Sequence, residues 1–206
     1  MTVLAFPGAV PAPNDLSFGL AANTQSGGRS PFDGTEQTLE LPGARWMAEL
    51  RWHDLDVSEW RALAAFVERL GGRAGRFTWS PIGRFPRRGT ATGTPLVNGG
   101  SQTGKSLITD GWSGTNPAFL AGDLVGYVDP TGRNVMHRVV ADVTPSAGAA
   151  TLTLAPAIRR SPADNAPLVL VAPTPVWRLA ADETMGDYAP GDRGFAMSLR
   201  IEEAIW

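Results

Sequence analysis

One stretch, Thr35 to Trp79, constrains the fold more than any other, because it passes from strand periodicity to helix periodicity and back. Ala44, Trp46, Ala48, Leu50 and Trp52 share one face of a β-strand, and Arg45, Met47, Glu49, Arg51 and His53 share the other. The spacing then predicts a helix over 57–70. Asp56 stands at its N-cap with Glu59 three residues on, the pattern of a capping box. Trp60, Leu63, Ala64, Val67 and Leu70 repeat at helical spacing with Phe66 beside the stripe, and Gly71-Gly72 supplies a left-handed exit. Gly75 to Trp79 reads as a further strand. A helix held between strands needs a sheet under its apolar stripe.

The rest of the chain is turn-rich. Gly and Pro contribute 24 and 17 of the 206 residues, and no second helical stripe is evident, which implies a mainly β protein. Phe6, Leu16, Phe18 and Leu20 suit short strands. Residues 21–37 are polar and read as an exposed loop or the tip of a long hairpin. After Pro81 short β runs occur at Thr94 to Val97, Ser106 to Thr109, Leu124 to Val128, Val135 to Val143, Ala149 to Leu154 and Leu168 to Val171. Such spacing suggests a small barrel or sandwich. After Pro173 and Pro175 alternation returns, at Val176 to Ala181 and again at Phe195 to Glu202. The economical arrangement makes residues 1–86 and 173–206 one discontinuous β domain around the helix, and 87–172 a second, inserted and mostly β domain.

Charge and composition narrow the chemistry. The net charge is −2 and the pI near 5.7, a poor balance for general nucleic-acid affinity. There is no cysteine and there are two histidines, His53 and His137, so disulfides, thiolate sites and His-rich metal sites are not expected. The start, broken by Pro7, Pro11 and Pro13, is a poor signal peptide, and no apolar run approaches transmembrane length. Arg69, Arg73 and Arg76 suit the negative end of the helix dipole as a solvated terminus.

Gly99 to Ser106 matches the phosphate-loop pattern of glycine, four residues, then glycine-lysine-serine. Such a loop must open a helix, whereas Ser106 leads into Leu-Ile-Thr-Asp-Gly-Trp, so a turn is expected with Lys105 dispensable. Seven tryptophans invite a sugar-binding reading, but Trp46, Trp52 and Trp60 sit at core spacing, leaving Trp112 and Trp206 as the less obviously buried ones. The carboxylates Asp182-Glu183, Asp187, Asp192 and Glu202-Glu203 are not fixed in pairs by any motif, and Ser80, Ser106 and Ser113 lack a nucleophile-elbow context. No catalytic, cofactor-binding or metal-binding residues are assigned, and no enzyme activity is expected.

Several phrases resemble the distal tail proteins of long-tailed phages, as found in prophages and gene transfer agents of proteobacteria. They are Gly34 to Thr38 leading into Leu41 to Trp46, Trp60-Arg61-Ala62 with Phe66, Leu70 to Phe77, Gly93 to Gly99 with Gln102 to Gly104, Thr109 to Trp112, Ala121-Gly122-Asp123 and Ile158 to Pro162. The resemblance implies a β-sandwich with one helix and, in some members, an inserted barrel of the oligosaccharide- or oligonucleotide-binding kind. It implies a homo-hexameric ring at the virion tail tip, made in the bacterial host cytoplasm. The ring would join the tail tube protein to the tip hub and pass DNA through its lumen without specific binding. It carries over no catalytic residue. The alternative expectation is a carbohydrate-binding module that meets a host-surface glycan.

Overall fold

A computed structural model describes residues 2–81, 86–182 and 194–205, and the backbone of 186–188. The chain is mainly β with one α-helix, sandwich-like in its layering. Its first sheet contains β1 (Val3–Ala5), β2 (Asp15–Ala21), β5 (Arg45–Leu55), β6 (Arg76–Thr78), β12 (Val176–Leu179), β13 (Gly186–Tyr188) and β14 (Phe195–Glu203). Their order is β1-β6-β12-β14-β5-β2, with β13 also on β14. The second sheet holds β7 (Thr92–Val97), β8 (Gly104–Ser113), β9 (Leu124–Val128), β10 (Asn134–Val139) and β11 (Ala150–Ile158) in the order β7-β8-β11-β10-β9. A separate hairpin is formed by β3 (Thr24–Arg29) and β4 (Glu36–Glu40).

Helix α1 spans Val57–Leu70 and begins as its sequence dictates. Asp56 accepts from the backbone N–H groups of Ser58 and Glu59, and Glu59 accepts from that of Asp56. A cap of this kind contributes about 1 kcal/mol. Leu63, Phe66 and Leu70 form its buried stripe, so Phe66 lies in the stripe rather than beside it, and Trp60, Ala64 and Val67 are half-buried at its margins. Gly71 ends the helix at φ 62°. A single 3-10 turn comes next, Gly72–Ala74. Gly75 must be glycine: a Cβ there would stand 2.3 Å from the Leu70 carbonyl oxygen. The helix end is not simply solvated. Arg76 is buried, and its Nη1 donates to the carbonyls of Arg73, Ala74 and Gly75 at 2.8–2.9 Å.

The inner face of the first sheet presents Trp46, Leu50, Trp52, Phe77, Trp177, Leu199 and Ile201, all buried. Helix α1 covers this core together with Leu124 and Met136 from β9 and β10. The second sheet curls round its own core of Val97, Leu107, Trp112, Phe119, Tyr127 and Leu152. Residues 165–169 bridge its two edge strands, pairing with Pro95 and Val97 on one side and with Gly126 on the other. The expected strand at Leu168 to Val171 is thus a pair of isolated bridges, at Pro167 and Val169.

Buried indoles pin these layers. Trp46 Nε1 donates to Met136 O at 2.8 Å, Trp52 to Pro11 O at 2.9 Å, Trp177 to Trp79 O at 2.8 Å and Trp112 to Thr109 Oγ1 at 2.9 Å. Each such ring satisfies its one polar atom inside the protein, which lets its full apolar area be buried. Trp112 is 5% exposed, a core residue of the curled sheet. Trp206 lies outside the described residues.

Candidate functional site

Three places collect polar side chains in a way that core packing alone does not require. The first joins the two sheets. Glu203 points from β14 toward the second sheet, where Arg159 meets it at 2.9 Å and also donates to Ala44 O at 3.1 Å. The Trp46 backbone N–H adds a third contact to Glu203 at 3.3 Å. Burial pushes the Glu203 carboxyl above its usual range, against the pull of Arg159. Beside it Asp129 pairs with Arg133 at 3.1 Å. Burial would raise Asp129 too, but hydrogen bonds from Thr131 and the Arg133 backbone hold it below the ordinary value. Tyr127 and His137 complete the cluster: the phenol lies 3.2 Å from His137 Nε2, and Nδ1 lies 2.8 Å from Pro156 O. The carbonyl can only accept, so Nδ1 carries the proton and Nε2 accepts from the phenol. Burial lowers His137 to about 4, so it is neutral at physiological pH. Arg138 lies 5.2 Å from the Trp46 ring and 5.5 Å from that of Phe18. Arginines and backbone N–H groups hold the carboxylates of this cluster, while the buried Nε atoms of Arg159 and Arg138 have no hydrogen-bond partner.

The second place is the phosphate-loop lookalike. Lys105 lies in β8, a strand paired with β7 and β11, and no helix starts there. The loop backbone is already engaged: Gly99 N–H donates to Asp164 at 2.7 Å and Gln102 N–H to Ser161 Oγ at 2.8 Å. The Gln102 amide fills the turn, donating to Asn98 O and Gly99 O at 2.9 Å and accepting from Ile108 N–H at 2.6 Å. An aspartate thus stands where an anion would be cradled. Lys105 Nζ reaches back to Glu40 at 2.6 Å, tying the loop to the root of the β3–β4 hairpin. Gln102 is the informative residue of this loop, and its role depends on contacts that sequence spacing does not display.

The third place combines the hairpin with the outer face of the first sheet. Strands β2 and β5 pair through Ala21 and Arg45, and beyond that point the chain continues as β3 and β4, every residue of which is exposed. The polar segment 21–37 is therefore largely strand and turn. Ser30 N–H donates to Thr35 O at 2.8 Å, Gly34 N–H to Ser30 O at 3.0 Å, and Asp33 accepts from Thr35. Hydrogen bonds from Ser30 and Thr35 bring the Asp33 carboxyl down to about 2. This ordered turn presents Phe32, 97% exposed, and Leu39 is exposed further along the arm. Burying such a ring elsewhere would contribute about 1.5–3 kcal/mol.

The outer face carries Arg45, Arg51, Arg178 and Arg200, with Arg73 alongside, gathered around Glu202 and Glu49. Between them runs a shallow groove of about 480 Å³ lined by Ser17, Gly19, Met47, Ala180 and Arg200. Met47 is 42% exposed, and a Cβ added at Gly19 would meet nothing.

The residues singled out for chemistry are dispersed. Glu202 and Glu203 lie on opposite faces of β14, each bound to arginine. Asp182 accepts from the Arg73 N–H at 2.9 Å. Glu183, Asp192 and the side chain of Asp187 lie outside the described residues. His53 pairs with Asp15 at 3.0 Å on the surface. Ser106 and Ser113 are ladder positions of β8, opposite Thr153 and Thr92. Among the described residues no three His, Cys, Asp or Glu side chains are grouped to hold a metal ion, and no helix is long and apolar enough to cross a membrane. Compared with known proteins, the chain matches no family model and no curated sequence.

Proposed function

We propose that this chain is a structural ring subunit of a phage-type tail tip, a distal tail protein whose six copies join the tail tube to the hub. The observation that supports it best is the β3–β4 arm. A hairpin with a hydrogen-bonded turn, an apolar tip and every strand residue exposed, held to its own body at its root by the Lys105–Glu40 ion pair, has the form of an element built to meet another chain. A closed ring uses such heterologous contacts, one surface of each subunit on a different surface of the next. The number six and the position between tube and hub come from the resemblance of the motifs, as does the passage of DNA through the lumen. Sugar binding by Trp112 is the weaker reading, since that ring belongs to the core of the curled sheet. Electron microscopy of the purified chain and of the particle that contains it tests the proposal. The expected image is a six-fold ring on the tail axis. Another copy number per ring, or a position off the axis, would refute it.

A further inference from the structure

We propose that the β3–β4 arm of one copy lies across the outer face of the first sheet of a second copy, with Phe32 seated in the groove beside Met47 and Gly19. The inference rests on the ring reading in taking a second copy as the partner. Three observations select this seat. The first is apolar complementarity. Phe32 is the most exposed large hydrophobic side chain described, and the groove offers Met47, Ala180 and the bare backbone of Gly19. The second is charge. From Thr24 to Glu40 the arm has one basic residue, Arg29, against three acidic ones, Asp33, Glu36 and Glu40, the last of which is paired with Lys105 of its own chain. The outer face has five arginines, each already paired with Glu49 or Glu202, and with Asp15 counted as well it keeps a balance of two positive charges around a groove whose own charged lining is Arg200 and Glu49. An acidic arm meeting a face with excess arginine is steered and held in register. The third is reach. Six extended residues span about 20 Å, enough to cross about four neighbouring strands.

An arm packed on its own sheet would not leave every residue of β3 and β4 exposed. The seat is therefore on another molecule. The contact is heterologous, tip to groove, so each copy can both give and receive one. The turn is already hydrogen-bonded, so little further ordering opposes docking.

The native chain has no cysteine, which allows a direct test. Single variants Phe32→Cys and Met47→Cys are made in the full chain, mixed, and oxidised. Both positions are exposed, and circular dichroism checks that each variant is folded. The expected result is a disulfide-linked heterodimer in the mixture, little dimer from either variant alone, and a covalent ladder from the double variant. Phe32→Asp should weaken self-association about tenfold or more in sedimentation. No heterodimer, or a tip-to-tip dimer from Phe32→Cys alone at equal yield, overturns the proposal. Six-fold rings without the heterodimer would leave the ring reading standing and sink this contact. The heterodimer without rings would do the reverse.

Discussion

Replacing Arg159 by methionine removes one half of the buried pair that fastens the two sheets. The pair lies 2.9 Å apart, with side-chain exposures of 20% for Arg159 and 6% for Glu203. At an effective dielectric constant near 20, two charges about 3 Å apart attract by about 5 kcal/mol. The desolvation of two ions, several kcal/mol each, offsets most of this, so the pair contributes little net stability. Losing one partner is different, because Glu203 is left buried with only Arg133, itself paired with Asp129, as a nearby cation, and the expected cost is about 3–5 kcal/mol. The double variant Arg159→Met with Glu203→Gln removes both charges. It keeps an acceptor for the Trp46 N–H and leaves only the Ala44 carbonyl without its donor, so its expected cost is about 1–2 kcal/mol. Guanidinium unfolding followed by tryptophan emission measures both. Burial already holds Glu203 above its usual value, and loss of Arg159 moves it further up. A carboxyl whose folded pKa exceeds its unfolded one contributes stability that is fully present below the unfolded value and is lost as pH rises through the folded value. The deficit of Arg159→Met should accordingly be largest near neutrality and shrink toward pH ~5. A single-variant cost below about 1 kcal/mol would refute the reasoning, since it would fall under the range for breaking a buried pair. A double variant as unstable as the single, or a deficit unchanged with pH, would also refute it.

Other perturbations probe other parts. Lys105→Ala removes an exposed ion pair and should shift stability by no more than about 0.5 kcal/mol, with no ATP binding in calorimetry before or after. Gln102→Ala empties the turn of its amide and should cost about 1–3 kcal/mol in thermal unfolding, a loss the neighbouring glycines cannot replace. His137 is held near 4 by burial, below its unfolded value, so it contributes stability above the unfolded value that is lost as pH falls toward 4. His137→Gln should flatten the stability profile between pH ~6.5 and 4, read by denaturation at each pH. Trp112→Ala should destabilise by about 3–5 kcal/mol, as a core truncation does, while surface labelling of the remaining tryptophans stays unchanged.

Local rules are legible in the sequence where they decide the outcome. The helix occupies Val57–Leu70 with its capping box because Asp56, Glu59 and Gly71 act within one turn of each end. Strand β9 runs Leu124–Val128, where the apolar run is bounded by turn residues on both sides. Strands with charged inner positions are harder to read. β14 continues to Glu203, whose place on the core face depends on Arg159, 44 residues away in sequence. The β3–β4 arm has no alternation to read, because both its faces meet solvent and its pairing is fixed by the turn at Ser30 to Thr35. Arg76 reads as a surface charge in the sequence because its carbonyl partners belong to a 3-10 turn that forms only once the helix has ended. The outer groove is invisible there for a similar reason: Gly19, Met47 and Ala180 come together only through the strand order.

That strand order also sets a schedule. β14 lies between β12 and β5 in the first sheet, yet it is the last of these strands to be synthesised. All the strands of the curled sheet, and the 165–169 segment that bridges its edges, leave the ribosome before Phe195 does. The smaller sheet can therefore close while β5 still waits with one long edge empty. During that interval the Trp46 face and the open edge of β5 lack their final partner, and non-local pairing of this kind is slow to form. β14 then brings both Glu202 and Glu203, so one arriving strand fills the gap in the large sheet and supplies the carboxylate that Arg159 has been awaiting.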